Sequence, residues 1–145
     1  MNPFEKKIIG GVVKGLLRPS DVGLAAGDFE SDEAGAIIAH AQTLEADGVQ
    51  IDADILHMRV SSGEQSFYTP DDFRLMAAAV NSSSVVYEAV EKVKSSALKT
   101  MILSETAKLA LLEDKGSPEL LDRLNDLVTR ATNYYKTSEN NFVFL

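Results

Sequence analysis

The sequence predicts an all-α protein, a compact helical head followed by a long antiparallel helical hairpin. Three observations predict it. Apolar residues recur at intervals of three and four along most of the chain, which places them on one face of a helix. Helix start and stop signals punctuate those runs at short intervals. Two stretches near the C-terminus carry a narrower apolar seam that steps by four and three, the pattern of helices that pack along one another.

The elements follow in order. Phe4, Ile8, Ile9, Val12, Val13, Leu16 and Leu17 form one amphipathic face, and Pro19 ends that helix because it lacks a donor and clashes with the preceding turn. Ser20 or Asp21 is placed to cap a short second helix that Gly27 closes. A third helix starts after Ser31, with Asp32 and Glu33 on the positive end of its dipole, presents Ile37, Ile38, Ala41 and Leu44, and stops at Asp47-Gly48. Asp52 caps the next, which carries Ile55, Leu56 and Val60. Thr69-Pro70-Asp71-Asp72 is a strong further start, with a cap, a Pro in the first turn and acids behind it. Asn81-Ser82-Ser83 matches a glycosylation acceptor but reads as the loop and cap before a long helix, about Ser83 to Leu112. Glu113 to Ser117 connects it to a return helix, Pro118 to Tyr135.

On the first of these long helices Leu98, Ile102, Glu105, Leu109 and Leu112 line one seam, and on the second Leu120, Leu124, Leu127, Ala131 and Tyr134 line another. The expected organisation is therefore a head over residues 1–82, a self-association hairpin over 83–136, and a tail or start of a linker over 137–145. Beside the first seam lie Val86, Val90, Val93, Ala97 and Met101, more apolar positions than one partner helix covers. That surplus needs burial on the head or on another subunit. The candidate interface consists of Val90, Val93, Leu98, Met101, Ile102, Leu109, Leu112, Leu120, Leu124, Leu127 and Ala131.

Composition bounds function. With 145 residues, 45% of them hydrophobic and 25% charged, the chain is one folded domain with room for an appendage. It contains no Cys, which excludes disulfides, thiolate chemistry and Cys-ligated zinc. Its apolar runs fall far short of a membrane span, and it opens with no signal-peptide pattern, so the expected location is the cytoplasm and no membrane partner is expected. Residues 1–82 hold 6 Lys/Arg against 13 Asp/Glu, a net charge of −7, whereas residues 83–136 hold 8 of each. An acidic head repels phosphates, so tight binding of nucleic acid by this chain alone is not expected.

Motifs that invite a catalytic reading do not complete it. Gly10-Gly11-Val12-Val13-Lys14-Gly15 opens like a phosphate loop, but Leu16-Leu17 stand where Lys and Ser/Thr must reach the phosphates and Mg²⁺. Gly10, Gly11 and Gly15 read instead as small residues that permit close helix packing. Asp52, Asp54, Asp71 and Asp72 suit a hard cation by type, but at helix starts they read as caps and dipole partners. His40 and His57 lack the spacing of a metal motif. The chain is expected to be no enzyme, with no catalytic residues, no metal site and no cofactor.

One ordered set of residues points further. Glu5, Ile8-Ile9-Gly10, Val12-Val13, Asp28-Phe29, Ile37, Ile38, Leu44, Gly48, Ile51-Asp52 and Leu56, followed by Tyr87, Val90, Lys99 and the stretch Pro118 to Ala131, resemble in order and spacing the N-terminal domain of the replicative DnaB-type DNA helicases. The chain departs from that pattern at Lys99, where the family usually has Arg, and around Ser66 to Leu75, where the family often has a double Gly followed by Tyr-Leu.

The resemblance implies a helical head and a hairpin that pairs subunits, as a homo-oligomer that is a dimer or a ring of dimers forming a collar on the motor ring. It also implies docking of primase or a helicase loader during DNA replication, with nucleic acid and ATP handled by a motor domain that this chain lacks. The apolar end Phe142-Val143-Phe144-Leu145 falls where such a helicase begins its linker. The other readings are a stand-alone phage- or plasmid-type protein that mimics the collar and regulates a helicase or primase, and the helicase-binding domain of a primase.

Overall fold

The computed structural model describes the backbone of residues 1–62, 68–110 and 118–143, and side chains up to residue 133 apart from Ala110. Leu112, the connection from Glu113 to Ser117, Ser66, Phe67, the side chains of Tyr134 and Tyr135, and those of the apolar end therefore lie outside the described residues. Among the described residues the protein is all-helical: α1 (Pro3–Lys14), α2 (Asp32–Ala46), α3 (Ala53–Ser61), α4 (Pro70–Ala78), α5 (Ser83–Ala110) and α6 (Pro118–Val143). Two compact units divide this chain between Val93 and Lys94. The first reaches past the expected boundary at residue 82 because the opening turns of α5 bury Val86, Ala89, Val90 and Val93 in its core.

In the first unit Ser31, Asp52 and Thr69 cap where the sequence places them, and Asn2 adds a cap that the sequence reading did not name. Asn2 caps α1 in a reciprocal box with Glu5: each backbone amide donates to the other's side chain at 2.9 Å. Ser31 caps α2 through the Ala34 amide at 3.4 Å, and Asp52 caps α3 through the Ile55 amide at 2.8 Å. Thr69 and Asp72 form a second reciprocal box at α4. At the far end of α2, Gly48 turns the chain with φ of 74°, a left-handed conformation that glycine adopts without a β-carbon penalty.

Two segments differ from the sequence expectation. α1 stops at Lys14, before Pro19 can act, because Gly15 takes φ of 81° as a left-handed C-cap with nothing within 4 Å of a β-carbon. Gly15 is thus a stop and not a packing glycine, whereas Gly10 and Gly11 are packing glycines. The expected second helix is replaced by two 3-10 turns, Pro19–Asp21 and Ala26–Asp28. Ser20 does not cap a helix there. Its hydroxyl and amide both donate to the Glu45 carboxylate on α2, at 2.6 and 3.3 Å, and that long-range contact holds the segment down.

The core of this unit joins Ile8, Ile9 and Val12 of α1, Ile37, Ile38 and Leu44 of α2, Leu56 of α3, Phe73 and Met76 of α4, and the valines that open α5. α1 lies against α4. Gly10 permits this, because a β-carbon there would run into the Met76 carbonyl. Gly11 permits the approach of α5 in the same way: its β-carbon would fall 2.6 Å from a Val86 methyl. The α1 C-terminus is tied separately, where the Lys14 ammonium donates to the Val80 carbonyl at 2.6 Å.

The second unit contains the rest of α5 and α6. Arg130 on α6 meets Glu105 on α5 at 3.1 Å and Asp126, one turn back on its own helix, at 3.0 Å. Lys108 approaches Glu105 from its own helix at 3.4 Å.

Candidate protein-interaction site

The sequence-chosen interface residues are divided by the fold. Val90 and Val93 are buried in the core of the first unit. Leu98 and Met101 are half-buried on the next turns of α5, as is Leu109, while Ile102 is exposed. On α6, Leu120, Leu127 and Ala131 are half-buried and Leu124 is exposed.

Among the described residues, the most exposed large apolar side chains of the second unit are ones the seam pattern did not select. Leu103 is 61% exposed, Leu121 60% and Val128 62%. Leu121, Leu124 and Val128 step by three and four on α6, so the three side chains rise from one face of that helix. The signal was present in the sequence, since Leu120 and Leu121 start two parallel lines. Spacing alone does not say which line is covered.

Charge at this site is local. The Arg130 guanidinium, hydrogen-bonded to the Glu105 carboxylate, holds that carboxyl below the usual glutamate range, and Lys108 adds to the effect. The same pair raises the Arg130 guanidinium further. The Glu105 side chain is only 15% exposed, so this ion pair is shielded on one side from water.

The carboxylates that suited a cation by residue type are engaged otherwise. Asp52 caps α3, Asp72 accepts from the Thr69 amide at 2.7 Å, and Asp54 and Asp71 both grip the Arg74 guanidinium. That double grip raises Arg74 above its ordinary value. Among the described residues no group of His, Asp and Glu is arranged to hold a metal ion, and no helix is long and apolar enough to cross a membrane. Half-buried His40 sits on α2 and half-buried His57 on α3.

The first unit has a concave surface as well. A groove of about 600 Å³ runs between α1 and α4, lined by Pro3, Lys6, Lys7, Tyr68, Asp72, Leu75, Met76 and Ala79. Comparison with protein-family models finds none that matches the chain, and comparison with curated proteins finds no match.

Proposed function

We propose that the chain is the N-terminal collar domain of a replicative DNA helicase of the DnaB type, which associates with its own copies and docks primase or the helicase loader. One observation carries the reading: between Glu5 and Leu56, most residues of the resemblance are ones on which this fold depends, whereas Lys99 and much of Pro118 to Ala131 are exposed. Glu5 closes the α1 cap and reaches the Ser31 amide at 3.1 Å; Ile8, Ile9, Phe29, Ile37, Ile38, Leu44 and Leu56 are buried; Asp28 accepts from the Ala25 amide at 2.8 Å. Gly10 admits α4, Gly48 turns the chain and Asp52 caps α3. A shared order of residues with such tasks is a shared fold instruction, whereas the same letters at exposed positions carry no structural content.

In the second unit, the ion pair between Arg130 and Glu105 and the half-buried faces of Leu98, Leu109, Leu120 and Leu127 support an antiparallel hairpin of α5 and α6. Leu103, Leu121 and Val128 then form the surface on which a second copy docks. Burying a Leu or Val side chain contributes about 1.5–3 kcal/mol, so a few of them on each copy hold a dimer at micromolar concentration. The chain itself supplies neither ATP hydrolysis nor strand contact in this reading. Its role is assembly.

The test is light scattering on the purified chain together with calorimetric titration against the primase and the helicase loader of the same organism. The expected result is a dimer or a ring of dimers that binds one of the two. A monomer at high concentration that binds neither overturns the reading.

A further inference from the structure

The groove between α1 and α4 belongs wholly to the first unit and owes nothing to the oligomer surface. Its walls are two helix faces: Pro3, Lys6 and Lys7 of α1, spaced three and four, and Asp72, Leu75, Met76 and Ala79 of α4 and its C-cap, at the same spacing. Tyr68 completes the lining, its ring centroid 6.2 Å from that of the buried Phe73.

Leu75 is 69% exposed on the α4 wall while its neighbour Met76 is buried beneath. An apolar side chain of this size beside a concave surface is a contact in search of a partner when it is flanked by further apolar lining.

The charge at the rim selects that partner. Among the described residues neither Lys6 nor Lys7 enters a salt bridge, and Lys7 only covers the Phe4 ring, its ammonium 5.8 Å from the centroid. The groove lining holds one acid against these two cations, Asp72, whose carboxylate is turned to the Thr69 amide at 2.7 Å. In a chain whose net charge is −8, the groove therefore offers two adjacent cations with no carboxylate of their own.

We propose that this groove receives an acidic amphipathic helix of a partner protein, with apolar residues laid over Leu75, Met76 and Ala79 and carboxylates on Lys6 and Lys7. This is the helix-in-groove mode, in which apolar anchors at three- and four-residue spacing give affinity and the rim charges give orientation. A flat anionic membrane meets the same lysines but cannot fill a concave apolar floor. A nucleic acid is a continuous line of phosphates that runs on past the two lysines over the acidic remainder of the unit, whereas a short helix can set its few carboxylates on Lys6 and Lys7 alone.

The probe is a synthetic amphipathic helix with Leu and Phe along one face and Glu on both flanks, followed by fluorescence anisotropy against the full chain. Saturable micromolar binding is expected, weakened by at least about tenfold in Leu75→Lys and again in the double variant Lys6→Glu with Lys7→Glu. Both sites are exposed enough for the variants to keep the parent's circular dichroism, and amide shifts in the NMR spectrum should cluster at Lys6, Leu75 and Ala79. A peptide with Lys flanks should bind far more weakly.

Equal binding of the Lys-flanked peptide, or indifference to both substitutions, overturns the proposal. So does sedimentation with phosphatidylserine vesicles in the absence of peptide binding. If Leu75→Lys instead dissociates the oligomer, the occupant is a second copy and the proposal falls, with the collar reading left standing.

Discussion

Gly10 of α1 lies directly against the Met76 carbonyl of α4, with no room for a β-carbon between them. The contact is backbone to backbone, so no flexible side chain can move aside. Gly10→Ala gains about 1 kcal/mol of helix propensity and meets an overpacking cost toward the upper end of about 1–3 kcal/mol. Urea denaturation should show a net loss. At Gly15, where φ is 81° and the surroundings are open, the same change strains only the backbone and should destabilise without altering the α1–α4 contact. Equal stability of Gly10→Ala and the parent would contradict the close crossing.

Glu5 is fully buried and its carboxylate accepts from two backbone amides, those of Asn2 at 2.9 Å and Ser31 at 3.1 Å. It joins the starts of α1 and α2. Glu5→Gln keeps the shape but turns an amide donor toward one of those N–H groups, and leaving a buried donor unmet costs about 1–3 kcal/mol. Thermal unfolding of the variant should fall accordingly, and hydrogen exchange at Ser31 should quicken before exchange in α4. An unchanged melting temperature would show that the carboxylate is dispensable.

The ion pair between Glu105 and Arg130 gives the second unit a pH dependence. Because Arg130 lowers the folded-state pKa of Glu105 below the ordinary glutamate value of 4.5, the pair contributes stability that is complete above that value and is lost as pH falls through the depressed folded one. Acid titration followed by circular dichroism should show this loss, and Glu105→Gln should remove that component while destabilising at neutral pH. A variant with the parent's acid profile would contradict the assignment.

Leu121 and Val128 are largely exposed on α6, so changing them alters the surface and leaves the core alone. In the proposed assembly, Leu121→Asp combined with Val128→Asp should shift light-scattering mass toward the monomer while helicity stays at the parent level. Ile102→Asp, on the seam of α5, should dissociate the oligomer or disrupt the α5–α6 contact. An oligomer insensitive to all three substitutions would place the association surface elsewhere.

The incomplete phosphate loop at Gly10 to Leu17 predicts that the purified chain hydrolyses no ATP, and the charge of −7 on residues 1–82 predicts no binding of single-stranded DNA at physiological salt. ATPase activity lost on substitution of Lys14, or salt-sensitive micromolar binding, would count against both.

The local signals were legible in the sequence because they act over three or four residues. Ser31, Asp52 and Thr69 cap the helices they precede, Gly48 turns the chain, and the periodic apolar residues of α1 and α2 enter the core, all by interactions within one turn or one face. Tertiary structure decided what depends on a distant neighbour. Gly10, Gly11 and Gly15 are alike in sequence, yet two meet another helix and the third ends its own, because only the approach of Met76 and Val86 distinguishes them. Ser20 serves Glu45 and not a helix start, since a hydroxyl takes the acceptor the fold brings to it. Val86 to Val93 continue the apolar line of α5, but the packing of α1 draws them into the first unit. A periodic pattern states which residues must be buried; which surface buries each one is fixed only when the helices meet.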